Sequence, residues 1–228
     1  MKRLLLLVSV LATSTALAFS GRSAGHAASV PAPGALERLR TGNERFARGE
    51  PERLHQTLER RSEIARDEKP FAVVVGCADS RVSPELVFDQ GLGDLVVVRC
   101  AGGVLDDAGI GSIEHAVEDL GCELVVVLGH ERCSAVEAVL AGGHLPGHLG
   151  ALAPAIEPAV AEARHRGGDL LDEAVRASAL RIADQLLHCP PILAERVDDH
   201  ELTVIAARYD LDTGEVEWLD AAVRPIED

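Results

Sequence analysis

Short apolar runs alternate with stretches of helical periodicity along most of this chain. Four runs are rich in Val and continuously apolar, without the alternation of apolar and polar residues that a half-exposed strand shows. Such runs are typical of strands that are covered on both faces, as in a parallel sheet. The predicted strands are residues 71–76, 95–99, 124–129 and 202–207.

Helical patterns lie between these strands. The clearest covers residues 111–121, where Ile113, Val117 and Leu120 share one face and Gly121 ends the helix. This alternation predicts the α/β class: a mostly parallel central sheet of four strands, with a possible antiparallel edge strand, flanked by helices and preceded by an N-terminal helical arm. Further helices are predicted at residues 35–47, 56–66, 84–90, 133–140 and 170–187, and a hairpin at residues 209–218.

The first residues have the pattern of a secretory signal peptide. Lys2 and Arg3 precede an apolar stretch that runs to about Ala18, and Ala16 and Ala18 form a small-x-small cleavage pattern. An uncleaved membrane anchor is the alternative, but the stretch is short and interrupted by Ser and Thr. We therefore expect an exported protein, periplasmic or extracellular, with no membrane attachment once the leader is removed. The predicted organisation is a signal peptide at residues 1–18 (cleavage as late as 27), a flexible lead-in at 19–33 and one domain at 34–228.

Charge and composition limit the class of partner. The formal net charge is −15, from 37 acidic and 22 basic residues. So acidic a chain lacks the basic surface that nucleic acid requires. Four Phe, one Trp and one Tyr are few aromatic residues for stacking against bases or sugars. We therefore expect a small-molecule substrate and no nucleic-acid partner.

Two thiols and an imidazole follow the ends of two predicted strands. Cys77 follows the first strand, and His130 and Cys133 follow the third. Because the carboxyl ends of parallel strands meet at one side of a sheet, we expect these side chains to lie together. The set suits Zn²⁺, and three ligands leave a tetrahedral ion one position short, which is the mark of a catalytic site.

Asp79 and Arg81 add a carboxylate and a guanidinium to this site. In an extended chain, residues 77, 79 and 81 point to the same side. Arg81 can hold the carboxylate bidentately and keep it ionised. Asp79 could then orient a nucleophilic water as a catalytic residue, or bind the metal and close the fourth position. A purely structural ion pair at a turn is the third possibility.

Several segments resemble the β-class carbonic anhydrases, in order and at similar separations. The resemblance implies Zn²⁺ held by Cys77, His130 and Cys133, with an Asp79–Arg81 pair beside it. It also implies an α/β fold, a homodimer or a multiple of one, and reversible hydration of CO₂ to bicarbonate. The segments that carry it are residues 77–82, 93–99, 111–114 and 129–133, and it also reaches residues 42–46 and 209–211.

Three positions depart from the family pattern. Cys100 stands where the family commonly has Asn, Ser134 where Gly usually follows the last zinc Cys, and His115 where Tyr is usual. These changes concern the shape of the pocket and the rate, and they remove no ligand. His115, His144 and His148 are candidates for moving the product proton, and ordinary surface histidines are the alternative.

Two other functions stay open at this point. One is zinc-dependent hydrolysis of a related small molecule, such as carbon disulfide or carbonyl sulfide, because the same site could attack either. The other is a catalytically silent, zinc-stabilised assembly module in which Asp79 closes the metal site permanently.

Overall fold

The computed structural model describes residues 29–219. The predicted signal peptide, residues 1–18, and most of the predicted lead-in lie outside the described residues. Helix α1 (Ala32–Ala47) begins inside the predicted lead-in, three residues earlier than the pattern suggested. Within residues 29–219, no helix combines the length and the apolar character needed to cross a bilayer.

A five-stranded sheet in the order β2-β1-β3-β4-β5 forms the centre of the fold. The first four strands are parallel to their neighbours, and β5 is antiparallel to β4. The predicted four-stranded parallel sheet and its antiparallel edge strand are therefore confirmed. The strands are β1 (Ala72–Cys77), β2 (Leu95–Cys100), β3 (Leu124–His130), β4 (Thr203–Tyr209) and β5 (Val216–Leu219).

Both faces of the sheet are covered, which explains the continuous apolar runs. In β1, Val73 and Val75 pack into the core on one face, while Val74 packs into the core on the other. Helices α1 and α3 (Pro84–Val87) contribute to the core on the Val74 face. The core on the opposite face receives side chains from α4 (Asp107–Glu118), α7 (Leu170–Leu187) and α8 (Ile192–Asp198).

The predicted N-terminal helical arm is confirmed as helix α1, which lies against the sheet, where Ala35 and Leu39 are fully buried. Two other helices differ from the prediction. Helix α2 spans only Leu58–Glu63 and has no buried residue. Helix α6 (Ala153–Ala163) was not predicted. Pro154 falls in the first turn, where its missing N–H costs little, whereas Pro158 lies inside the helix.

Candidate metal centre

Three candidate metal ligands converge at the carboxyl end of the sheet. Cys77 is the last residue of β1, His130 is the last residue of β3, and Cys133 immediately precedes α5 (Ser134–Ala141). Gly76 pairs with Leu128 in the parallel register, so the two strands end side by side. The two Sγ atoms are 3.9 Å apart, and the three donor atoms all lie within 4.8 Å of one another.

The imidazole of His130 presents a lone pair to this group. Its Nδ1 is 2.9 Å from the Glu131 carbonyl oxygen, which can only accept, so Nδ1 carries the proton. Among residues 29–219, Nε2 of His130 is the one buried side-chain nitrogen or oxygen without a hydrogen-bond partner. A buried polar atom without a partner costs free energy. A neutral imidazole nitrogen beside two sulfurs therefore fits a zinc ion.

The two thiols differ in acidity. The pKa of Cys77 is lowered to about 4, first because Cys133 donates a hydrogen bond to its sulfur, and burial only partly opposes this. The Gly102 N–H also donates to Cys77 Sγ, at 3.2 Å. The pKa of Cys133 is raised, first through the same bond to Cys77 and then through burial. Cys77 is thus predisposed to the thiolate form, which is the form that binds metal.

Asp79 and Arg81 form a bidentate pair beside the donors. Arg81 Nε donates to Oδ1 at 3.0 Å and Nη2 donates to Oδ2 at 2.7 Å. The guanidinium holds the pKa of Asp79 well below its usual range, so the carboxylate is ionised. Oδ2 of Asp79 is 3.9 Å from Nε2 of His130. The carboxylate therefore adjoins the donor group while both of its oxygens are bonded to Arg81.

A second arginine fixes the segment that carries Cys77 and Asp79. Arg99 Nε donates to the Cys77 carbonyl at 2.8 Å, and Nη2 donates to the Asp79 carbonyl at 2.5 Å. Arg99 is the penultimate residue of β2, the neighbouring strand, so the pairing of β2 with β1 fixes the position of its backbone. These two bonds hold the backbone on both sides of Ala78.

A small apolar cavity adjoins the donors on the side of α7. The space open to the centre of a water molecule is about 20 Å³, which is room for one small molecule. Apart from the ligand side chains, its walls are mainly aliphatic side chains and glycine backbone. They include Val75, Val127, Val136, Val175, Ala179 and Ile182.

The sequence model of one protein family, described as carbonic anhydrase, matches residues 72–216, a span that contains all three donors and the Asp79–Arg81 pair. The chain is also 41% identical over 184 residues to "Carbonic anhydrase 2" of Mycobacterium tuberculosis, covering 79% of this chain and 89% of that protein. This chain belongs to the carbonic anhydrase family.

Solved carbonic anhydrases share its fold. The β-carbonic anhydrase CafA of Aspergillus fumigatus matches with a TM-score of 0.62 at 26% identity, covering 83% of this chain and 90% of that one. One of two tetrameric β-carbonic anhydrases from Sordaria macrospora matches with a TM-score of 0.64 at 23% identity, covering 79% and 94%. The β class predicted from the sequence is confirmed. Zn²⁺ is the cofactor of this class, and the donor set fits it.

Every site residue predicted from the sequence lies in this one place. The two roles left open for Asp79 remain predictions, and its pairing with Arg81 favours the role beside the metal over that of a ligand. His115, His144 and His148 are not among the described residues that line the cavity. His115 is exposed on α4, with Nδ1 2.6 Å from Asp119, so its part in carbonic anhydrase chemistry stays a prediction.

Sequence reasoning missed two supports of this carbonic anhydrase site. Arg99 lies within a segment that carried the resemblance, but nothing in the pattern showed that its guanidinium turns back to Cys77 and Asp79. Gly102 has φ of +71°, a left-handed conformation that suits glycine, and its N–H faces Cys77. The Ala-Gly-Gly run was the available signal for that turn.

Proposed function

We propose that this chain catalyses the reversible hydration of CO₂ to bicarbonate and a proton, with Zn²⁺ held by Cys77, His130 and Cys133. The observation that carries the proposal is the unpaired, buried Nε2 of His130, facing two sulfurs beside an ionised Asp79. When bound, the metal supplies an activated water as the nucleophile. The protein residues supply its position, its orientation and the binding of CO₂.

Asp79 is the residue that orients the nucleophile. An ionised carboxylate can only accept hydrogen bonds, so it would accept one from the attacking water and fix its direction. Arg81 keeps the carboxylate ionised and bonds both of its oxygens, which favours a role for Asp79 beside the metal over that of a ligand. Arg99 supports this arrangement by holding the backbone at Cys77 and Asp79.

The cavity wall suits a small apolar substrate. CO₂ has no net dipole, and the aliphatic side chains of Val75, Val127 and Val175 offer it a place without hydrogen-bonding competition from water. The charged groups of Asp79 and Arg81 are not among the residues of this cavity. The site thus separates an apolar side for the substrate from a charged side for the water.

Stopped-flow measurement of CO₂ hydration tests the proposal. We expect saturable activity in the zinc-loaded protein that is lost on chelation and restored by Zn²⁺. Parallel assays with carbon disulfide and carbonyl sulfide should show slower turnover. Faster turnover of either would favour the hydrolase alternative, and a zinc-loaded protein with no activity from pH 6 to 10 would favour the silent module.

We also propose that the chain forms a homodimer or a multiple of one. Strand β2 lies at the edge of the sheet, where Val96, Val97 and Val98 are only half-buried. An uncovered apolar edge strand favours association. The tetrameric carbonic anhydrases of Sordaria macrospora, which share the fold, add support. Light scattering after gel filtration should give a mass of two or more chains, and a monomer at micromolar concentration would contradict this.

Export of the protein is a separate proposal that rests on the N-terminal sequence. Lys2, Arg3 and the apolar stretch that follows have the signal-peptide pattern. N-terminal sequencing of protein recovered from cell fractions should find it outside the cytoplasm, starting after Ala18 or as late as residue 28. A cytoplasmic protein that starts at Met1 would contradict the proposal.

A further inference from the structure

The loop between His130 and Cys133 is fastened to the turn that joins β4 and β5. Arg132 donates to both carboxylate oxygens of Asp212, from Nη1 at 2.9 Å and from Nη2 at 2.7 Å. Beside this pair, Leu211 N donates to the Glu131 carboxylate at 3.1 Å, and Glu131 N donates to the Tyr209 carbonyl at 2.9 Å. Two consecutive loop residues are therefore held by one turn that lies about 80 residues further along the chain.

The backbone of Arg132 has an unusual conformation. Its φ is +50°, in the left-handed region that residues other than glycine seldom occupy. Such a conformation persists when surrounding contacts hold it. The bidentate pair with Asp212 is one such contact, because it anchors the side chain of the same residue.

This conformation directs the Arg132 carbonyl toward the Asp79–Arg81 pair. Arg81 Nη2 donates to that carbonyl at 3.3 Å and to Asp79 Oδ2 at 2.7 Å. One guanidinium nitrogen of Arg81 is thus shared between the carboxylate that faces the donor group and the loop that carries two of the donors. The Arg132 carbonyl is therefore in direct contact with the guanidinium that holds Asp79.

We propose that Arg132 and Asp212 are positioning residues that act as a latch, through which the β4–β5 turn sets the placement of Arg81 and hence of Asp79. The inference rests on the proposed function for its catalytic consequence, but the structural coupling can be tested without it. Neither residue touches the donor atoms, and both side chains are about half or more exposed. An exposed pair of this kind adds little to global stability. Its effect is expected in the geometry of the site.

Asp212→Asn is the first test, because it removes the charge and keeps the shape. The backbone N–H of Arg81 bonds to Asp79 Oδ1 at 2.9 Å, so hydrogen exchange at that amide reports on the pair directly. We expect faster exchange at Arg81 in the full-length variant, with the global unfolding temperature unchanged. We also expect kcat to fall about tenfold with KM unchanged, as for other residues that orient groups around a metal.

Glu215→Gln is the matched control, since it removes an exposed carboxylate from the same segment between β4 and β5. This control should match the parent protein in hydrogen exchange at the Arg81 amide and in kcat for CO₂ hydration. Arg132→Gln should lose at least as much as Asp212→Asn, because Arg132 Nη2 also lies 3.3 Å from Glu131 Oε2. The double variant should be no worse than Arg132→Gln, because both changes break the Arg132–Asp212 pair. The absorption spectrum of the Co²⁺-substituted protein should shift in the two latch variants and not in the control.

Two results would overturn the latch. One is an Asp212→Asn protein whose Arg81 amide exchanges at the parent rate, and the other is additive loss in the double variant. A parent protein without CO₂ hydration would instead contradict the proposed function. The exchange experiment would still decide whether the turn positions Arg81, so the two failures are distinguishable.

Discussion

The metal centre has an inner half, formed by Cys77, His130 and Cys133, and an outer half, formed by Asp79, Arg81 and the groups around them. In the inner half all three side chains are at least 93% buried, and one buried nitrogen has no partner. In the outer half both carboxylate oxygens of Asp79 accept hydrogen bonds from the Arg81 guanidinium. The inner half therefore needs a metal ion to satisfy its unpartnered donor nitrogen. The hydrogen bonds of the outer half are already formed without a metal.

This difference predicts which substitutions should affect metal content, which should affect the catalytic rate and which should affect stability. Changes in the inner half should remove the metal together with the activity. Changes in the outer half should leave the metal bound and alter the rate. Changes in a comparable Asp–Arg pair far from the site should alter stability alone.

The largest effect is expected for Cys133→Ala. The two remaining donors cannot hold Zn²⁺ in a tetrahedral site, so metal content should fall and CO₂ hydration should drop by about a thousandfold or more. Metal analysis and stopped-flow assays measure both. Cys189→Ala is the control, because this cysteine lies outside the donor group and is only partly buried. Full zinc content in Cys133→Ala would contradict the inner half as described.

Asp79→Asn should have the next largest effect. The amide keeps the shape but cannot accept a hydrogen bond as strongly as a carboxylate, so kcat/KM should fall about a hundredfold. Zinc content should not change if Asp79 acts beside the metal. Loss of zinc together with activity would show instead that Asp79 is a ligand, which is the alternative left open by the sequence.

Arg81→Gln should reduce the rate less, by about tenfold, and should change its pH dependence. In the parent protein the guanidinium keeps the pKa of Asp79 well below its usual range, so Asp79 stays ionised across the working pH. Without the Arg81 guanidinium that pKa should rise, because the largest cause of its lowering is removed while burial still raises it. A loss of activity on acidification should therefore begin at higher pH in the variant. Superimposable pH profiles would mean that Arg81 does not control Asp79.

Asp89 and Arg45 form an Asp–Arg pair beneath α1, away from the metal donors. Arg45 Nε is 2.6 Å from Asp89, whose carboxylate also accepts the N–H groups of Glu52 and Arg53. Burial opposes ionisation of Asp89, but these bonds outweigh it and lower its pKa. Asp89→Asn should lower the free energy of unfolding by about 3 kcal/mol and leave the rate of the folded protein unchanged.

The pH dependence of that difference can be stated with its sign. Because the folded-state pKa of Asp89 is lowered, its contribution is full above the unfolded-state value of about 3.9 and is lost as pH falls through the folded-state value. Urea unfolding of the parent and of Asp89→Asn should differ most near neutral pH and converge in acid. A difference that grows below pH 4 would contradict this account.

The sequence predicted the sheet and the convergence of Cys77, His130 and Cys133, for physical reasons that are local. Continuous Val runs report strands buried on both faces, and a ligand at each strand end follows from parallel topology. Strands β1 and β3 each end one residue later than predicted, so that Cys77 and His130 are themselves strand residues. This places the ligands on the rigid hydrogen-bonded ladder instead of in a loop.

What the sequence could not show depends on contacts between distant segments. Nothing near Arg132 indicates that its partner is Asp212, 80 residues away. Helix α6 was not predicted, and burial of Ile156 and Ala159 against distant segments is what stabilises it. The helix predicted at residues 56–66 is shorter in the structure, where α2 spans only Leu58–Glu63. No residue of α2 is buried, so no packing stabilises a longer helix.

The separation of Cys77 from Cys133 along the chain also determines when the complete donor group can form during folding. Strand β2 and helix α4 lie between them, so the three donors meet only after the β1–β3 crossover has closed. Before that point, His130 and Cys133 can offer at most a two-point chelate. Closing a loop of this length is entropically costly and belongs to the slow, non-local part of folding. A metal ion held by all three donors would therefore stabilise only chains in which β1 and β3 are already paired.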